Sequence, residues 1–130
     1  MFREKQTALE AYVQAGLPGS ELVFENQPSP SPDLFDEWIR INVLNGDSKR
    51  MQIGGNGYRH PGIVTAQIFL REGIGIDRGV ELADAVSTLM RDKVISGVNT
   101  QVPYITKNPV AEAGWFQVQV TIPFYFDEVN

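Results

Sequence analysis

"GWFQVQVTIPFYF", residues 114–126, alternates without a break. Phe116, Val118, Val120, Ile122, Phe124 and Phe126 interleave with Trp115, Gln117, Gln119, Thr121 and Tyr125. Successive side chains of a strand point to opposite faces. The first set therefore makes one continuous apolar face, and the second an amphipathic one. An apolar face of this length must be covered, so the chain must also supply neighbouring strands and a second layer.

Other segments have matching patterns. "DEWIRINVLNGD", residues 36–47, sends Trp38, Arg40, Asn42 and Leu44 one way and Ile39, Ile41 and Val43 the other. Asn45-Gly46 then reads as a hairpin turn, with "SKRMQIGG" (48–55) returning as the partner strand. Gly62 to Leu70 is another strand, with Val64, Ala66, Ile68 and Leu70 on one face and Ile63, Thr65, Gln67 and Phe69 on the other. "ELVFEN" (21–26) is a short strand, and "QPSPSPD" (27–33) a surface loop, because alternating prolines forbid regular structure. "VNTQVPYITKN" (98–108) reads as a strand interrupted at Pro103, which favours an edge.

Two segments have helical periodicity. Arg3 to Ala15 repeats Ala8, Leu9, Tyr12 and Val13 at three-and-four spacing, and Gly16 with Pro18 stops it. Asp77 to Ile95 carries a stripe of Val80, Ala83, Val86 or Ser87, Met90 and Val94, with Leu82 and Leu89 beside it. Asp77 suits an N-cap and Gly97 a stop. The order α-β-β-β-β-α-β-β predicts one α+β domain over residues 1–130. It is a single mixed, largely antiparallel β-sheet with two main α-helices packed on its apolar face.

The chain has 130 residues, 42% of them hydrophobic, and a formal net charge of −5. That balance argues against general attraction to nucleic acid. The absence of cysteine excludes disulfides, thiolate chemistry and cysteine-ligated zinc, and the single histidine, His60, excludes His-pair metal sites. No apolar run approaches the roughly 20 residues that span a bilayer, and the polar N-terminus does not read as a signal peptide, so no membrane partner is expected.

Seven of the twelve glycines fall between Ile53 and Gly79 and invite a phosphate-binding reading. Neither cluster carries the lysine of a Walker loop. Gly73-Ile74-Gly75 lies between a strand and a helix, but Arg78 stands where a dinucleotide fingerprint needs its third glycine, and Gly79 comes one place late. Both clusters read as turns, with "GGNGYRHPG" (54–62) a flexible contact loop or hairpin tip. His60 is a general base by residue type, yet the sequence nominates neither nucleophile nor carboxylate for it, which leaves an exposed or interface histidine. Glu81, Asp84 and Glu112 read as solvated faces. No enzyme and no cofactor are expected. Interface residues are expected instead: the aromatics opposite the apolar faces, Trp38, Trp115 and Tyr125, with Arg40 beside Trp38, and Arg50, Tyr58, Arg59 and His60 around the loop. The alternative for the tryptophans is a second packed layer, such as the N-terminal helix.

Taken together, "FEN" with its proline-rich sequel, "WIRINVL", "MQIGGNGYRHPGIVTAQIFLREGIG", "ELADAVSTLM" and the closing alternating strand resemble the small tail-terminator (tail-completion) proteins of long-tailed bacteriophages. The resemblance runs from Phe24 to Phe126. It implies a virion protein of the tail or neck, assembled in the host cytoplasm as a ring, usually a homohexamer. Such a ring sits on the last ring of tail-tube protein, stops polymerisation, meets the head–tail connector protein and lets DNA pass through its lumen. It carries over no catalytic residues. Alternatives are another neck or tail-tube component, or a small ligand-binding domain using the Gly73–Gly75 turn. An acidic lumen that repels DNA would follow from the net charge of a ring of such subunits.

Overall fold

A computed structural model describes residues 2–24, 36–51, 57–71, 76–112 and 115–129. The elements are α1 (Phe2–Gly16), β1 (Leu22–Phe24), β2 (Glu37–Asn45), β3 (Lys49–Met51), β4 (Gly57–Arg71), α2 (Ile76–Met90), β5 (Val94–Ile95), β6 (Val98–Thr100), β7 (Tyr104–Glu112) and β8 (Trp115–Val129). They form one eight-stranded sheet with the order β1-β2-β4-β8-β6-β5, in which β3 also pairs with β4 and β7 with β8. Only β1 and β2 run parallel; every other pair is antiparallel. The expected α+β architecture is the one observed.

The frame is the β4–β8 ladder, paired residue for residue from Gly57↔Val129 to Arg71↔Trp115. Both strands contain an internal proline, which central strands ordinarily exclude. The N–H and C=O of one strand residue point to the same neighbour. The carbonyl of Pro61 accepts from Gly46 N, so its missing N–H faces the gap between β2 and β3. The carbonyl of Pro123 accepts from Gln101 N, so its missing N–H faces the gap between β6 and β7. Each proline sits where the neighbouring strand is already broken, and the long ladder survives.

The apolar faces meet as read. Ile39, Ile41, Val43, Val64, Ala66, Ile68, Leu70, Val118, Val120, Ile122, Phe124 and Phe126 form one core with Leu9 and Val13 of α1 and Leu82, Ala83, Val86 and Met90 of α2. Both helices therefore lie on one face. Tyr12 donates from its hydroxyl to Leu89 O at 2.9 Å and ties α1 to α2. At Gly79 the helix comes so close to the sheet that an added Cβ would sit 2.5 Å from Leu70 Cδ1 and 2.9 Å from Val118 Cγ2.

Several expectations need correcting. Asn45-Gly46 is not a hairpin turn onto β3. Both β2 and β3 pair with β4, so the chain only bends at 46–48 and continues along the same partner. The β4 strand begins at Gly57, so Tyr58 and Arg59 belong to a strand and not to a loop. Helix α2 ends at Met90, because Asp92 turns into the left-handed region at φ 49°. Val94 and Ile95 then form a strand, and Ser96 and Gly97, with φ 49° and 85°, make the two-residue turn to β6. Gly97 is thus a hairpin residue and not a helix stop, and Val94 is exposed instead of in the helical stripe. Asp77 lies inside the first turn of α2, where its charge favours the helix dipole. The proline-rich stretch 27–33 and the glycine turns at 54–56 and 73–75 lie outside the described residues.

Candidate functional site

The eight residues expected at an interface fall into two groups at opposite ends of β4. Ten residues separate Arg59 from Phe69, or roughly 33 Å at strand rise. At the Phe69 end, Trp38 stacks on Phe69 with ring centroids 4.2 Å apart, and Trp115 meets Trp38 edge-on at 6.2 Å. With Val23 they form a second, smaller core. Trp38 is 1% exposed and Trp115 5%. These tryptophans are therefore a packed layer, not open aromatic surface, and α1 takes no part in covering them, since it lies on the other face. Arg40 lies 5.1 Å from the Trp38 ring, and Arg71 lies 5.4 Å from that of Trp115, so this end faces outward through arginines.

The other end collects Arg50, Tyr58, Arg59, His60 and Tyr125. The β3–β4 and β4–β8 registers put Arg50 opposite Tyr58, Arg59 opposite Asp127, and Pro61 opposite Tyr125. Arg59 reaches Asp127 through two bonds, Nε to Oδ1 at 2.8 Å and Nη2 to Oδ2 at 3.0 Å. Its guanidinium also lies 4.2 Å from the Tyr125 ring centroid. A planar fork suits both a carboxylate and an aromatic face. Arg50 lies over Tyr58 at 5.8 Å.

The hydrogen bonds from Arg59 hold the Asp127 carboxyl below the usual carboxylate range, against the opposing effect of desolvation. The same pairing raises Arg59. A depressed folded value means that the stabilisation is fully present above the ordinary carboxylate range and is lost as pH falls through the folded value. An acid titration followed by carboxyl NMR is expected to give Asp127 a midpoint below that of a free aspartate, and Arg59→Ala is expected to return it to the ordinary range.

His60 is not exposed. It is 7% accessible, and both ring nitrogens are engaged: Nδ1 with Ser48 Oγ at 2.6 Å and Nε2 with Glu128 Oε1 at 3.0 Å. Phe2 and Phe126 cover the ring, each with its centroid 4.9 Å away. An ionised carboxylate only accepts, so Nε2 carries a proton, and in the neutral ring Ser48 donates to Nδ1. The Ser-His-carboxylate order has the look of a nucleophile relay, but here serine sits on Nδ1 and the carboxylate on Nε2, the reverse of the serine-hydrolase arrangement. The roofed ring fastens three pieces of chain: the bend before β3, the start of β4 and the end of β8. Sequence reading missed Ser48, Asp127 and Glu128. The one available signal was the β8 alternation, which carries on past Phe126.

Arg78, which spoils the dinucleotide fingerprint, has its own role. It donates to both carboxylate oxygens of Glu37 at 2.8 and 2.7 Å and to Glu81 at 2.8 Å, and Glu37 chiefly raises it. It pins the start of α2 to the start of β2. Glu81 is thus an ion-pair partner as well as a solvated group. Among the described residues there is no cluster of three or more metal-ligating side chains, and no helix is long and apolar enough to cross a membrane.

A family profile described as "Phage tail terminator protein" matches residues 6–124. The chain belongs to the phage tail terminator family. As a tail terminator it is a structural component of a phage tail, and hence of the virion. One solved structure shares the terminator's fold at a TM-score of 0.62, with 14% identity over 96% of this chain and 91% of the other. No curated protein sequence matches.

Proposed function

We propose that this chain assembles into a closed ring that caps the tail tube, ends its polymerisation and presents the surface to which the head–tail connector joins. Six copies would close such a ring, with the tube protein on one side, the connector on the other, and DNA passing through the lumen without specific binding. The observation that carries this is the built end of the sheet. Arg59, Asp127 and Tyr125 on one face and Tyr58, His60 and Glu128 on the other are fixed by strand register and by direct bonds. A pre-ordered arginine–tyrosine surface is the kind that protein interfaces enrich. The reading needs no chemistry from His60, whose contacts are all internal to the fold.

The test is assembly. Tyr58→Ala and Arg59→Ala truncate side chains on a ladder whose backbone pairing they leave in place, and the exposed Arg59–Asp127 pair contributes little to stability. Melting curves are expected to stay close to those of the unsubstituted chain, while the yield of joined, tail-bearing particles in a complementation assay falls at least about tenfold, the equivalent of 1.4 kcal/mol at a contact. Normal yields from both variants would remove this end of the sheet from the interface.

A further inference from the structure

The ring reading leaves open which surfaces join one subunit to the next, and the far edge of the sheet answers it. Six large hydrophobic side chains are exposed in the described chain, and four of them, Val94, Val102, Tyr104 and Ile105, lie along the edge formed by β5 and β7. Tyr104 is 55% exposed and Val102 63%. Among the described residues β7 pairs with β8 alone, so its outer backbone groups face away from the sheet. Edge strands of monomers are ordinarily blunted by lysine, proline or a bulge. Here Lys107, Pro109 and the register shift between Asn108 and Glu112 protect only the far half of β7. Between Pro103 and Lys107, only Tyr104 to Thr106 lack such protection.

The charge of this edge selects its occupant. Arg91, Lys93 and Lys107 stand there against Asp92, a balance of +2, so the rest of a chain of net −5 carries −7. The remainder of a second copy is therefore acidic on balance, whereas its own β7 edge is basic. Self-pairing of two β7 edges would set like charges against each other, whereas pairing with a different face of the next copy sets opposite charges together. A contact between two different surfaces is heterologous, and its repetition closes a ring when the rotation between copies is a whole fraction of a turn.

We propose that the Val102–Thr106 edge is the subunit–subunit contact, docking on a different and acidic face of the next copy; this rests on the ring reading above. Strand addition at the edge supplies main-chain bonds, and the exposed apolar side chains supply burial. The hairpin end with Arg59 and Tyr58 is then left for the tube or the connector.

The full chain is measured by native mass spectrometry. The unsubstituted chain is expected as a closed ring. The double variant Val102→Asp/Tyr104→Asp is expected as a single chain with the same circular dichroism, and Leu44→Asp, at an exposed position elsewhere, is expected to keep the ring. A ring that persists in the double variant overturns the edge contact while the ring reading stands. An unsubstituted chain that stays monomeric both alone and at tube ends overturns both. Thr106→Cys, in a chain with no other cysteine, is expected to remain unlinked under air; disulfide-linked dimers would overturn the heterologous arrangement.

Discussion

Trp38→Ala is expected to destabilise the fold by about 3–5 kcal/mol in urea unfolding, with little change in the slope of the transition. Trp38 is 1% exposed, stacked on Phe69 and edge-on to Trp115. Truncation removes the central ring of the second core, and the sheet beneath is too tightly laddered to collapse into the space. Trp38→Phe is the informative comparison. Among the described residues the Trp38 indole N–H is buried without a hydrogen-bond partner. The smaller ring removes that unsatisfied donor while keeping the stack, so its cost is expected to be well under half that of alanine. Equal losses from both changes would mean that the stack on Phe69 contributes nothing.

Gly62→Ala is expected to cost about 3 kcal/mol, at the upper end of ordinary overpacking. Gly62 sits in β4 between β2 and β8, paired with Asn45 on one side and Phe124 on the other. A Cβ there would fall 2.5 Å from the Leu44 carbonyl oxygen and would collide with the Phe124 ring. The ring could move; the backbone carbonyl belongs to a paired strand and cannot move without breaking the ladder. Phe124 is 3% exposed and fills the space that the glycine leaves, so displacing it also loosens the main core. Adding Phe124→Leu to Gly62→Ala is expected to recover part of the loss, which unfolding midpoints of the double variant would show. A Gly62→Ala variant as stable as the unsubstituted chain would contradict the close approach.

Gly62 and Gly79, two of the glycines at close approaches in the described chain, show where sequence reading stops. Alternation in 36–47, 62–70 and 114–126 identified the strands and their inward faces, because a period of two is a local property. The spacing of Leu9 and Val13 identified α1 for the same reason. Pairing is not local. Asn45-Gly46 has the composition of a hairpin, yet β3 carries on along β4 because the β4–β8 ladder is long enough to accept both β2 and β3 on its other side. The end of α2 was misread because Val94 and Ile95 continue the apolar rhythm, and only the left-handed turn at Asp92 breaks the helix. The His60 cluster was hidden by distance in sequence: its partners lie 12 and 68 residues away, and only the register brings them to the ring. The family, by contrast, was legible, since its pattern of glycines and apolar positions is spread along the chain.

The central proposal is a ring that caps a tube. The most direct measurement mixes the purified chain with preformed tail tubes and images them by negative stain, beside the chain alone. Rings seated at one end of each tube, and tubes that no longer lengthen when fresh tube protein is added, are the expected result. Long tubes formed by this chain on its own, or tubes that keep growing in its presence, would contradict it.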